Sequence, residues 1–195
     1  MVGWLMLALG VALWFATHLF KPMAPATRER LAMRLRGEGA AKIAMLLGTL
    51  AAVALIVNGY QSVDYVGLWF PPDWTTLLNN LLMVLALGIY LSGGIPGHVR
   101  SWIRHPQLVG VKIWALAHLL VNGHLAAAIL FGALFAWAVL ALIAINRRDG
   151  KKPKPEPKGL MPNLIHATVT AGAFIVVTLI HNWAGVWPFA GAPPA

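Results

Sequence analysis

The sequence contains no cysteine and very little charge. Without a thiol, the chain cannot form disulfides, cysteine-ligated iron–sulfur or zinc centres, or a thiolate-ligated haem. Charged residues make up only 11% of the chain, whereas 59% is hydrophobic and the mean hydropathy is +0.71. Soluble domains carry about 25% charged residues. Because too little polar surface remains to cover a globule in water, the composition predicts an integral membrane protein.

Familiar catalytic motifs are missing as well. The sequence has no GxGxxG, P-loop, HExxH or GxSxG pattern. Its long apolar stretches contain no aspartate or glutamate. Acid–base catalysis by paired carboxylates inside the membrane, and a carboxylate proton relay, are therefore not predicted.

Six apolar stretches approach the roughly 20 residues that a helix needs to cross a bilayer. They are residues 2–20, 40–60, 75–95, 107–121, 125–146 and 160–183. The fourth is the weakest, since its 15 or so residues reach only about 22 Å as a helix. It either starts in the headgroup region or forms a tight hairpin with the fifth.

Lysine and arginine lie in alternate loops. All fifteen except Lys112 fall in 21–42, 97–106 and 147–159, and the intervening loops and the tail contain none. The positive-inside rule makes these three loops cytoplasmic. We therefore predict an all-α, multi-pass membrane bundle of about six transmembrane helices, N-out and C-out, as a single domain over 1–195. The net charge of +9 then sets topology and contacts anionic lipid, with no nucleic-acid partner.

The N-terminus resembles a signal peptide only superficially. Residues 24–26 (Ala-Pro-Ala) mimic a small-residue cleavage site. However, no positive region precedes the apolar run, and the positive charge follows it. We expect residues 2–20 to be retained as the first span.

A few ionisable residues fall within the predicted spans. Ionisable groups in lipid are costly and are candidates for function. His18 and His118 lie deep on apolar helices, and imidazole suits zinc, copper and iron. Each is either a metal ligand or a hydrogen-bonded structural histidine, with Asn122 placed to orient the His118 ring. Lys112 either snorkels to the cytoplasmic side or provides a counter-charge for an anionic ligand.

Residues 104–138, beginning Arg104-His105-Pro106, closely resemble the core of the NnrU family of bacterial membrane proteins. The Thr17-His18-Leu19 and His181-Asn182-Trp183 segments resemble that family too. The family takes its name from genes linked to nitrite and nitric oxide reduction. It is similar to the plant and cyanobacterial 15-cis-zeta-carotene isomerase, a haem b membrane enzyme.

This resemblance implies that His18 and His118 are the axial ligands of a haem b. The rise of the helix would then bring the propionates of a haem on His118 to the level of Lys112, with Arg100 and Arg104 below it. The resemblance also implies a protein of the bacterial inner (cytoplasmic) membrane that supports nitrite and nitric oxide respiration, with nitrogen-oxide reductase machinery as an expected partner. One alternative is a haem-dependent cis–trans isomerase of a polyene or isoprenoid. The isomerase, however, has a cysteine three residues before its second ligand, where this chain has Ala115. The other alternative is a non-catalytic assembly protein with structural histidines.

The predicted depths of the histidines in the membrane do not decide which two of them could ligate the same metal. Two axial nitrogens lie about 4 Å apart across one metal. His18 is predicted near the cytoplasmic end of the first helix, whereas His118 is about 20 Å above His105 along the fourth. Depth alone would pair His18 with His166 or His105. It would pair His118 with His124 or His181.

Overall fold

A computed structural model describes residues 1–35, 37–150 and 153–190 of the chain. Within those ranges the structure is helical and has no strand. The helices are α1 (Val2–Met23), α2 (Pro25–Arg34), α3 (Glu38–Gln61), α4 (Trp74–Leu91), α5 (His98–Trp102), α6 (Pro106–Val121), α7 (Leu125–Asp149) and α8 (Met161–Trp183). A short 3₁₀ helix, Ser92–Gly94, follows α4. Arg36, Lys151 and Lys152, three of the cations that predict the topology, lie outside the described residues.

Five of these helices are long and apolar enough to cross a membrane, namely α1, α3, α4 with its 3₁₀ extension, α7 and α8. The apolar helix α6 has 16 residues, which is about 24 Å. The predicted all-α membrane fold with about six membrane helices is therefore confirmed, and the weakest predicted stretch is also the shortest of the six helices. The N-out/C-out orientation stays a prediction.

Two short helices, α2 and α5, form where the sequence indicated only loops. Helix α2 starts at Pro25, where the missing N–H costs no hydrogen bond. Its Arg28 is buried and donates from both terminal nitrogens to the Glu38 carboxylate, at 3.2 and 2.9 Å. This bidentate ion pair joins α2 to the start of α3.

The chain divides into two compact units, each described here by itself. The first comprises Met1–Val66 and His124–Gly150. In it, α1 packs against α3 and α7. A Cβ at Gly10 would lie 2.7 Å from the Ile56 backbone nitrogen, and Gly59 lies directly against the Leu7 backbone. Glycines thus allow the close helix approach that is typical of membrane interfaces.

The second unit comprises Gly67–Gly123 and the described residues 153–190. Here α4 packs against α6 and α8. Gly110 of α6 lies against the Ala86 carbonyl, and His166 Nε2 of α8 donates to the Gly88 carbonyl at 2.6 Å. Both α6 and α8 run antiparallel to α4. The start of α4 therefore lies at the same end of the unit as the last turns of α6 and α8.

The basic linker after α7, whose described residues are 153–159, is exposed. It nevertheless has fixed contacts within the second unit. Lys154 Nζ donates to the Trp102 carbonyl at 2.6 Å, and the Lys158 backbone N–H donates to the Pro96 carbonyl at 2.9 Å. These bonds hold the linker beside α5.

Candidate functional site

The candidate residues fall in both units. His18 lies on α1 in the first unit, whereas His118 and Lys112 lie on α6 in the second. Arg104 is in the turn that precedes α6. The pairing of His18 with His118 therefore stays a prediction.

His18 sits in an aromatic cluster within the first unit. Its ring stacks on Trp14, one helical turn earlier, with centroids 3.9 Å apart and planes 19° apart. Trp137 of α7 meets the same ring edge-on at 5.3 Å. The His18 Nδ1 lies 3.0 Å from the Trp14 carbonyl and 3.0 Å from the Thr17 hydroxyl. The position of His18 is thus fixed by two tryptophans and by its own helix.

Two indole nitrogens in this cluster are buried without a hydrogen-bond partner among the described residues. They are Trp14 Nε1 and Trp137 Nε1. A buried donor left unpaired costs about 1–3 kcal/mol. The i, i+4 spacing of Trp14 and His18 signals their contact in the sequence, but no sequence signal identifies Trp137 as the third member.

His118 is held in the same way on α6. Its Nδ1 lies 2.9 Å from the Trp114 carbonyl, and the two rings are 4.9 Å apart. The Asn122 amide donates to the His118 backbone carbonyl at 2.8 Å, where it caps the helix. The contact seen for Asn122 is therefore with the backbone. Ala115, at the position where the isomerase has cysteine, is fully buried.

The second unit brings His118 close to His181. The ring centroids are 6.4 Å apart, with planes tilted by 41°. His181 Nδ1 lies 2.8 Å from the Val177 carbonyl in the preceding turn of α8. Depth had left His124 and His181 as partners for His118, and the structure shows the contact with His181.

His18, His118 and His181 share one hydrogen-bonding pattern. In each, Nδ1 faces the carbonyl oxygen four residues earlier. A carbonyl only accepts, so Nδ1 carries the proton and the lone pair of the neutral ring lies on Nε2. Metal-ligating histidines are held in this manner, because the anchored nitrogen fixes the tautomer and the ring direction.

Three other histidines, His98, His124 and His166, have contacts that suit structural roles. His166 uses Nε2 to bind the Gly88 carbonyl. His98 is exposed and contacts the Asn163 side chain. His124 precedes α7, accepts from the Ala127 N–H at 3.4 Å and contacts Tyr60 Oη at 3.1 Å. Burial lowers the pKa of His124, which favours the neutral ring that this cap requires.

The cations beside the site are half-buried. Lys112 precedes His118 on α6. It is about 9 Å nearer the start of the helix, and its side chain points about 120° away from His118 around the helix axis. Among the described residues, neither the Arg28–Glu38 nor the Arg148–Asp149 ion pair involves Lys112, and no carboxylate there pairs with it. Arg104, two residues before Pro106, contributes a second positive charge near the N-terminal end of α6.

Within the described ranges, no group of three histidine, cysteine, aspartate or glutamate side chains is placed to hold a metal ion. The histidines occur instead singly or as the His118–His181 pair.

The fold and these side chains define a multi-pass helical membrane protein with anchored histidines on its helices. The chain belongs to the NnrU protein family, whose model matches residues 6–188. That match includes every candidate ligand and extends through both units. No curated protein and no solved structure matches the chain.

Proposed function

We propose that the protein binds haem b in the bacterial cytoplasmic membrane and supports nitrite and nitric oxide respiration there. Family membership motivates the respiratory role. The haem proposal depends on the histidines that resemble those of a haem enzyme, above all His118. When bound, haem supplies one-electron chemistry and an iron that responds to small gases.

The anchoring of His118 is the observation that supports the cofactor most directly. Its Nδ1 donates to the Trp114 carbonyl at 2.9 Å, which places the lone pair of the neutral ring on Nε2, the nitrogen proposed to bind the iron. A porphyrin occupies the equatorial positions of iron, so the protein needs to supply only one or two axial ligands. A bare zinc ion would need three or four protein ligands. The described side chains therefore suit haem better than zinc.

The second axial ligand has two candidates. The resemblance implies His18, which carries the same Nδ1 anchor at 3.0 Å. The second unit itself offers His181, with an anchor of 2.8 Å. Lys112 and Arg104 are proposed to meet the negatively charged propionates.

A spectrum of the purified full chain tests haem binding. Expressed with haem supplementation, the wild type should show a Soret band and a reduced-minus-oxidised spectrum of haem b. His118→Ala should lose most of that haem, whereas His98→Ala, a matched change at an exposed histidine, should retain it. A wild type without a Soret band, despite available haem, would refute the proposal.

The respiratory role is tested in a denitrifying bacterium that lacks this gene. We expect slower consumption of nitrite or nitric oxide, restored by the wild type and by His98→Ala but not by His118→Ala. Protein levels in the membrane must be equal for all variants. Full complementation by His118→Ala would favour the assembly protein with structural histidines instead.

A further inference from the structure

The distance between the His118 and His181 rings suits two ligands of one metal. A metal–nitrogen bond of about 2 Å and a ring radius of about 1.1 Å place each ring centroid about 3 Å from the metal. Two such rings on opposite sides have centroids about 6 Å apart. The structure has them 6.4 Å apart.

Both rings also present the same nitrogen. The Trp114 and Val177 carbonyls accept from Nδ1 of His118 and His181, respectively. Each neutral ring therefore has its lone pair on Nε2. The same anchoring on two different helices suits a bis-imidazole site, since it favours in both rings the tautomer that ligates through Nε2.

The two helices that carry the pair are held by contacts with α4. Helix α6 is fixed through Gly110 against Ala86, and α8 through the His166 bond to Gly88. Beyond α8, the Pro188 carbonyl accepts from the Asn80 side chain at 3.0 Å. These contacts fix both histidine-bearing helices on a common neighbour.

A further buried polar atom lies at the same end of this unit. Asn79, near the start of α4, is 8% exposed, and its Oδ1 has no hydrogen-bond donor among the described residues. Because α4 is antiparallel to both neighbours, this residue is at the level of the last turns of α6 and α8. A polar group of a ligand bound at that level, or water that accompanies it, would satisfy this acceptor.

We infer that His118 and His181 ligate one haem iron from opposite sides, so that His181 rather than His18 is the second axial ligand. This inference rests on the proposed haem function and specifies its ligand pair. His18 then has a packing role in the first unit, stacked on Trp14 and flanked by Trp137.

Spin state and reduction potential of the haem-loaded full chain provide the test. The ferric wild type should be six-coordinate and low-spin. His181→Ala should convert it to high-spin and added imidazole should restore low-spin, whereas His18→Ala should stay low-spin. His181→Met supplies a second ligand of another kind and should raise the reduction potential above that of the wild type; His18→Met should leave the potential unchanged.

The methionine variants decide the question if an alanine variant does not fold. A low-spin His181→Ala, or a His181→Met with the wild-type potential, would overturn the inference while leaving haem binding intact. High-spin iron in His18→Ala would also overturn it. A wild type without haem would overturn the proposed function, and this inference with it.

Discussion

At the scale of single residues, the histidines of this chain differ in which nitrogen the protein uses. Where Nδ1 donates to the preceding turn, as in His18, His118 and His181, the lone pair of Nε2 can ligate a metal. Where Nε2 binds a neighbouring helix, as in His166, the ring joins two helices. The sequence spacing of these residues does not distinguish the two cases, but the hydrogen bonds do.

Lys112 is the lysine or arginine that lies inside a predicted membrane span, so its charge needs a compensating partner or access to water. A charged side chain at the centre of a membrane helix costs about 2.5–3.5 kcal/mol on insertion scales, and no carboxylate of the described residues pairs with Lys112. If haem propionates compensate the ammonium, Lys112→Met should weaken haem retention with normal insertion, whereas Lys112→Arg should largely preserve it. Haem content per protein after detergent washing measures the effect. Equal content in wild type and Lys112→Met would show that the lysine only snorkels.

At the scale of helices, glycine determines how closely α1 and α3 pack. An added Cβ at Gly10 would lie 2.7 Å from the Ile56 nitrogen and 2.8 Å from its Cγ1. Backbone cannot move aside as a flexible side-chain end can. The two helices would therefore have to separate over several turns.

We expect Gly10→Ala to lower stability by about 1–3 kcal/mol, because overpacking forces this separation. Gly132→Ala is the matched control, since Gly132 is also inside a membrane helix but has nothing within 4 Å of an added Cβ. That change should be neutral or slightly stabilising, as alanine favours helix over glycine. Thermal unfolding in detergent compares the two variants. Equal melting temperatures would mean that α1 and α3 do not pack as closely as described.

At the scale of the whole molecule, the loop charges predict that both termini lie outside. The cations of 21–42, 97–106 and 147–159 are then cytoplasmic. Alkaline phosphatase fused after Ala195 should be active, whereas the same reporter fused within 153–159 should be inactive. An inactive C-terminal fusion at normal protein level would contradict the six-span orientation.

Much of the fold could be predicted because lipid imposes simple rules. Every backbone polar group must be satisfied inside the bilayer, so long apolar stretches become helices, as happened for the span 125–146 within α7. Helix α2 could not be predicted this way. Its ten residues are polar overall, and its Arg28 is buried only because Glu38 of the next helix supplies the matching carboxylate.

For the site, the sequence alone identified the residue types and part of their placement. It determined that histidines and one lysine are the ionisable groups inside the spans, and that His118 and His181 are at similar depth, because a helix rises a fixed distance per residue. Only the tertiary structure decided that the two rings approach to 6.4 Å, and that Trp137 joins Trp14 around His18. Rotation of each helix about its axis sets these contacts. That rotation follows from interhelical packing, such as Gly110 against Ala86, which no periodicity within one segment reveals.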